Sequence, residues 1–419
     1  MTTRELLAAC NPPGAWQQIK LRWLSRRYSG GTPDTKNPEY WEGGTVPWLN
    51  SGAVNQGTIT TPSDYITELA VRESSAKWIP KGSLVMALAG QGKTKATVGF
   101  LDIETTGNQS LAAIVPQDIE GKYLYWWLSS QYITLRNLSS QDGRDGLNLE
   151  MIGSILCPVP PIDAQRRIAN FLDEKTAQID GLIEKKRVLL ERLAEKRQAL
   201  IIRAVTKGLD LNVPMKSSGI DGLGDVPAHW EAKRLNSFCD FVSGKAHEPF
   251  VDSNGEYVCV NARFISTNGL TEKRCTENLC PAKPGDILMV MSDLPNGRAL
   301  ARSFLVNDQV AYAVNQRVCR IRLHTGLSDY FSYQLNRNPQ LLKYDDGKEQ
   351  IHLSNLVFKH LLLLKPPEEE QRQIVIYLDQ SVAALEKMEV RVGKTMALLK
   401  EYRSAIIAAA VTGKIEDLK

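Results

Sequence analysis

The sequence predicts an α+β protein, with two mixed α/β domains separated by two long helices pairing as an antiparallel coiled coil. Three observations predict it. Residues 160–206 return without a gap as residues 366–412, so that Pro160 maps to Pro366, Gln165 to Gln371, Arg197 to Arg403 and Thr206 to Thr412. Apolar residues inside each copy keep the coiled-coil spacing. Matching strand signals precede each copy in the same order. A repeat this long is one supersecondary unit used twice, and it sets the architecture before any local motif is read.

The first domain, residues 1–159, opens on Pro13-Gly14-Ala15-Trp16 and then alternates short apolar runs with Gly, Pro and Asn. VPWLNSGAV ends its run at Asn50. IPKGSLVMAL is a Gly-led turn entering a buried strand, Asn108-Gln109-Ser110 leads into LAAIV, and YLYWWLSSQY reads as a short amphipathic helix. The first long helix occupies residues 160–208. Pro161 closes the preceding segment, Asp163 suits the first turn and Gly208 follows the end. Each copy is a helix candidate of about 44 residues, roughly 66 Å long at 1.5 Å rise per residue. The seam of the first is Ile168, Leu172, Ile179, Leu182, Leu189, Leu193 and Leu200, with polar breaks expected at Lys175, Lys186 and Lys196. Such breaks cost stability and fix register.

Residues 209–226, rich in Gly, Ser, Asp and Pro, form the connector. The second domain, 227–365, echoes the first: Pro227-Ala228-His229-Trp230, YVCVNARFI ending at Asn261, AKPGDILMVM, then Asn315-Gln316-Arg317 before VCRIR. In its short helix Tyr330 stands for Tyr123 and Leu335 for Leu128. The second long helix is 366–413, with the seam Ile374, Leu378, Leu385, Met388, Leu399 and Ile406, Thr395 at the remaining position, and a tail at 414–419. Two ordinary core helices are the plainer reading, but globular helices rarely exceed 25 residues. About 160 residues separate the copies, so pairing within one chain is the economical arrangement.

Composition narrows the function. Charged residues are 23% and the net charge is +4, so any basic face is local. No basic-then-apolar leader and no 18-residue apolar run occur, which argues against secretion and membrane spanning and leaves a cytoplasmic expectation. The seven cysteines lack CxxC spacing and read as reduced thiols. Residues 87–94, ALAGQGKT, fit a relaxed phosphate loop, yet ATVGFLDIE after them reads as strand, and the duplicate lacks the Lys-Thr pair. Asn11-Pro12-Pro13-Gly14 lacks the aromatic residue of an adenine methyltransferase motif.

Two similar but unlike domains on a long spacer suit a linear, periodic ligand such as double-stranded DNA, whose half-sites recur with the helical turn. Arg and Lys match phosphates and guanine edges, and Asn and Gln match adenine. The first domain offers Arg26, Arg27, Tyr28, Asn50, Gln91, Lys93, Lys95, Gln109, Gln141, Arg144 and Asn148. The second offers Lys245, His247, Asn261, Arg263, Arg298, Arg302, Gln316, Arg317, Lys348, Gln350 and His352. Each taken singly reads as solvated surface or a turn residue.

The runs PPIDAQRRIANFLD, EKRQALIIRAVT, EYRSAIIAAAVTGK and VPMKSSGIDGLGDVPAHWEAKRL resemble the conserved segments and domain junctions of specificity subunits of type I restriction–modification systems. The resemblance covers essentially the whole chain. It implies two target-recognition domains, each reading one part of an asymmetric bipartite DNA site, and a helical spacer that docks two DNA methyltransferase subunits, joined by restriction/translocase subunits. It implies no catalytic site, cofactor or metal in this chain, the partners using S-adenosylmethionine, ATP and Mg. Lys207-Gly208 is reversed relative to Gly413-Lys414, which leaves the local cap geometry open. Alternatives are a methyltransferase-only or other bipartite-site system, an enzyme working through the phosphate-loop or methyltransferase motifs, or a coiled-coil scaffold that reads no DNA.

Overall fold

The computed structural model of the chain describes residues 16–90, 92, 94–138, 146–220, 222–293, 299–344 and 351–418. The chain divides into two compact units, Met1–Arg187 with Gly393–Lys419, and Val188–Val392. Each unit therefore holds one sheet-rich domain, or head, together with part of both long helices, Ile162–Lys207 and Glu368–Val411.

In the first unit the main sheet runs in the order Ser25–Ser29, Leu111–Pro116, Leu84–Ala87, Val98–Leu101, Thr58–Ile59. In the second unit Cys239–Ser243, Val318–Leu323, Ile287–Val290 and Ser303–Leu305 repeat the first four positions, antiparallel throughout in both. A smaller sheet is repeated as well. Val46–Leu49 pairs antiparallel with Asp64–Ile66 and parallel with Thr106–Gly107; Tyr257–Val260 pairs antiparallel with Arg274–Cys275 and parallel with Tyr312–Val314. The Gly-led runs LVMA and ILMV become the wholly buried strands their unbroken apolar character demands. The echoes from VPWLNSGAV and YVCVNARFI onward thus fall on equivalent elements; Pro13, Gly14 and Ala15 of the first echo lie outside the described residues.

Each head is tied to the helices by the same polar contacts. Gln165, 2% exposed, accepts from the Glu120 N–H at 2.8 Å and donates to the Pro160 carbonyl at 2.8 Å. Gln371, 1% exposed, does the same with Leu327 (3.1 Å) and Pro366 (2.7 Å). Buried amides must be satisfied, so these side chains fix where each helix leaves its head. Tyr123 donates to the carbonyls of Pro158 and Val411 at 2.8 and 3.5 Å, while Tyr330 donates to that of Val205 at 3.3 Å. Burial pushes both phenols well above their ordinary range, so they stay neutral donors.

The start of the first helix and the end of the second share the first unit's core, where Ile168, Leu172 and Ile179 cluster with Ile406, Ile407 and Val411. The end of the first and the start of the second share the other core, where Ala204 and Val205 cluster with Ile374 and Leu378. The pairing is antiparallel. Equivalent ion pairs bridge it: Arg403 grips Asp180 with two hydrogen bonds of 2.9 and 3.0 Å, and Arg197 lies 3.6 Å from Glu386. Both helices stop at a left-handed glycine, Gly208 (φ +73°) and Gly413 (φ +69°). A Cβ there would press on Trp230 or Trp16 at 3.2 or 3.0 Å. The reversed Lys-Gly order moves the cap by one residue, and the first helix runs longer, to Lys207.

The seam needs correction. Leu182, Leu189 and Met388 are 46, 37 and 53% exposed, whereas Leu193, Leu385 and Ile406 are buried and Leu200 and Leu399 partly so. After Ile179 the buried stripe steps by four to Ile183, and after Leu385 by seven to Val392. A helix of 3.6 residues per turn drifts against a strict 3.5 repeat and carries intermediate positions outward. The polar breaks shift in part: Thr176, 3% exposed with its hydroxyl on the Leu172 carbonyl, is buried more deeply than half-buried Lys175 beside it, and half-buried Arg197 sits where Lys196, itself exposed, was expected. Lys186 remains half-buried. Among the described residues no helix is long and apolar enough to cross a membrane.

Candidate nucleic-acid interface

Antiparallel pairing brings Ser29, Ala87, Leu111 and Val98 to one end of the first head's sheet, and Ser243, Val290, Val318 and Ser303 to one end of the second's. The turn before the second strand of the sheet order is the hub at that end. In the first head the Asn108 N–H donates to the Leu49 carbonyl (2.9 Å), Gly31 donates to Gly107 (2.9 Å), and Leu88 donates to Ser110 (2.9 Å) and accepts from Leu147 (2.9 Å). In the second, Asn315 donates to Val260 (3.1 Å), Lys245 to Val314 (3.0 Å), and Met291 donates to Arg317 (2.9 Å) and accepts from Leu353 (2.8 Å). The turn and four further stretches of chain meet at each hub.

This junction gathers most of the described candidates. Asn50, Lys95, Gln109 and Asn148 belong to the first hub or adjoin it; Lys245, Asn261, Arg263, Arg302, Gln316, Arg317 and His352 belong to the second or adjoin it. Gln109, Lys245, Arg263, Gln316, Arg317 and His352 are exposed. Three asparagines also hold the backbone. The Asn50 amide oxygen accepts from Gly52 (2.8 Å), that of Asn148 from Met151 (2.8 Å) and that of Asn261 from Phe264 (2.9 Å), each capping the turn that follows. Half-buried Arg302 has its guanidinium lowered from its ordinary value by burial and by Arg337 and Arg197.

Two alanines at matching places hold left-handed backbone, Ala96 (φ 68°) and Ala301 (φ 56°), both essentially buried. Each donates to the last residue of the buried central strand, Ala96 to Ala87 at 2.9 Å and Ala301 to Val290 at 3.0 Å. Left-handed non-glycine residues cost of order 1–2 kcal/mol and persist only where the surroundings enforce them. The same strain recurs at both hubs.

Three candidates serve the fold instead. Arg27 donates to the Leu21 and Ser25 carbonyls at 3.0 and 2.7 Å, and burial followed by Arg22 lowers it from its ordinary value. Tyr28 is half-buried, its hydroxyl on the Trp78 carbonyl at 2.6 Å, with the exposed Arg26 guanidinium 5.2 Å from its ring centre. His247 is 0% exposed: one ring nitrogen lies 2.8 Å from the Lys245 carbonyl, and the other accepts from the Leu279 N–H at 3.0 Å. A reader of base edges needs free polar atoms at the surface, and His247 has none. Gln91, Lys93, Gln141, Arg144, Arg298, Lys348 and Gln350 lie outside the described residues.

Thr32 and Glu248 are neither basic nor amide side chains, and no sequence pattern singles them out. The Thr32 hydroxyl donates to the Gln109 amide oxygen at 2.6 Å. Exposed Glu248 accepts from the Asn315 amide at 2.8 Å. Burial works to raise its carboxyl, but the Asn315 amide, its own backbone N–H, His247 and Arg317 outweigh this and hold it below the ordinary carboxylate value. Among the described residues no group of three or more His, Cys, Asp or Glu is placed to hold a metal. The stretch read as a relaxed phosphate loop leads into the strand Val98–Leu101, where a phosphate loop requires a helix.

Comparison with known proteins places this architecture. The family described as type I restriction modification DNA specificity domain matches residues 13–192 and 227–391. The chain is 30% identical over 155 residues to the specificity subunit of the type I restriction enzyme EcoR124I/EcoR124II of Escherichia coli, covering 36% of this chain and 38% of that one. It is 28% identical over 169 residues to the MjaIX specificity subunit of Methanocaldococcus jannaschii, covering 38% of each. The matched stretches therefore span well under half of these relatives. A chain solved in work on complex assembly and conformational transition of the type I R-M system superposes with a TM-score of 0.77 at 18% identity, covering 97% of this chain and all of that one. The HsdS subunit from Thermoanaerobacter tengcongensis gives 0.53 at 19% identity, covering 97% and 98%. With two heads of one topology and unlike hub residues, and with the family match falling on both halves, the chain belongs to the type I restriction–modification DNA specificity family.

Proposed function

We propose that this chain is the DNA sequence-specificity subunit of a type I restriction–modification complex, itself non-catalytic. Each head reads one half of an asymmetric bipartite site, and the helices scaffold two DNA methyltransferase subunits and, where present, the restriction/translocase subunits. The partners supply S-adenosylmethionine, ATP and Mg chemistry; this chain supplies register and base choice. The observation that carries the reading is the repeated hub: the same junction of a turn and four further stretches in both heads, bearing Asn50 and Gln109 in one and Lys245, Gln316 and Arg317 in the other. Equal topology with unequal side chains suits two unlike half-sites. Lys and Arg contacts to phosphate set position, amide side chains read base edges, and the methyltransferases flip the target adenine.

The test is a head exchange. Replacing residues 1–155 with the corresponding module of another family member, in a host that also expresses the methyltransferase subunits, is expected to change one half of the methylated motif. Methylome sequencing that shows both halves changed, or no bipartite motif for the parent chain, rejects the reading.

A further inference from the structure

We propose that Glu248 is a specificity-determining residue of the second head and selects cytosine, accepting a hydrogen bond from its exocyclic amino group. This rests on the DNA-reading function above. Glu248 stands at the hub among Lys245, Gln316 and Arg317, all exposed. A carboxylate is an unfavourable neighbour for DNA phosphates, so its presence in a basic hub calls for a task.

The neighbourhood holds it in one place. Asn315, 5% exposed, donates from its amide nitrogen to one carboxylate oxygen of Glu248 at 2.8 Å. The Asn315 amide oxygen is itself occupied by the Gln316 N–H at 2.7 Å and lies 3.5 Å from the His247 N–H. Buried His247, bonded through both ring nitrogens, fixes the residue just before Glu248. Backbone and side chain are therefore both anchored. One carboxylate oxygen is committed to Asn315, and among the described residues no other side chain hydrogen-bonds or ion-pairs with the carboxylate. An ionised carboxylate only accepts hydrogen bonds. In the major groove the cytosine base presents an amino donor alone, whereas adenine sets an N7 acceptor beside its amino group and thymine and guanine offer acceptors. An acceptor-only side chain matches cytosine, meets adenine's N7 acceptor beside its one donor, and is repelled by thymine and guanine.

The equivalent place in the first head is built differently. Gly30 and Gly244 occupy matching positions, each so close to the hub that a Cβ would lie 1.8 Å from the Gly107 carbonyl oxygen or 2.1 Å from that of Asn315. Four residues on, Asp34 accepts from the Lys36 N–H at 2.9 Å, within its own turn. Thr32, bonded to Gln109, is the side chain that reaches the first hub. The carboxylate held by a hub asparagine is thus particular to the second head, and its influence belongs to that half of the site.

The experiment compares the parent chain, Glu248→Gln and Glu248→Ala, each expressed with the methyltransferase subunits, by methylome sequencing and by binding of the purified complex to duplexes differing at one position. Glu248→Gln keeps an oxygen for the Asn315 amide, so the loop stays in place while an acceptor becomes a donor. The expected result is a change at a single cytosine position of the half-site read by the second head, the other half unchanged. Glu248→Ala is expected to lower discrimination at that position roughly ten-fold and to tighten binding to unrelated DNA, because a negative charge has gone. An unaltered motif in both variants, or uniform weakening on every duplex, overturns the proposal and leaves Glu248 a loop anchor. Absence of any bipartite motif for the parent chain overturns the DNA-reading function with it.

Discussion

Single side chains show which contacts make the heads what they are. Gln165 and Gln371 look like ordinary helix-surface glutamines in the sequence, yet both are buried and bridge two backbone groups. Gln371→Leu strands the Leu327 N–H and the Pro366 carbonyl, and the expected loss is about 2–3 kcal/mol, measurable by denaturant unfolding. The strained alanines work the other way. Glycine adopts left-handed backbone freely, so Ala301→Gly is expected to stabilise the second head by about 1 kcal/mol, and Ala301→Val to destabilise it by more. Thermal unfolding of both variants checks the sign. Arg27, Tyr28 and His247 carry the opposite lesson: a residue type suited to DNA says nothing of where its polar atoms point. Tertiary contacts with Leu21, Ser25, Trp78 and Leu279 took them.

At the scale of elements, the repeat was legible because it is written twice. The constant offset made the long helices visible, and Pro161, Pro367, Gly208 and Gly413 marked their ends. Which residues of the stripe are buried was less legible, because a 3.5-residue template drifts along a straight helix; Leu182, Leu189 and Met388 are where the template and the helix part. The Asp180–Arg403 pair bridges the helices, but its Asp180 side chain is half exposed. A double-mutant cycle on Asp180→Ala and Arg403→Ala is therefore expected to give a coupling below about 1 kcal/mol. Arg403→Ala alone should cost more than Asp180→Ala, since its guanidinium also lies 5.9 Å from the ring centre of Trp126. A coupling several times larger would make the pair a stabiliser and not a register mark.

For the whole molecule, the equivalence of the two halves has a consequence. The first head completes its core with Ile406, Ile407 and Val411 of the second helix and covers Gly413 with Trp16. By the repeat, Leu200, Ile201, Val205 and Gly208 of the first helix are their near-equivalents. A chain ended at residue 208 lacks the second helix, but another copy of itself can supply the matching surface. Such a half-chain is expected to dimerise in light scattering and, with methyltransferase subunits, to direct methylation to a symmetric site. A monomer with intact secondary structure would show that the helices are not interchangeable.

The sequence by itself determined the two-fold plan, the long helices, the order of strand signals and the family resemblance, because periodicity and repetition survive in one dimension. Only the tertiary structure decided which of the fifteen described candidate residues share a surface. A hub forms where a turn and four distant stretches exchange backbone hydrogen bonds, and no local pattern records that the turn at Asn108 or Asn315 will be the meeting point. Whether a polar side chain faces outward or is spent on a neighbouring carbonyl is settled by that packing alone.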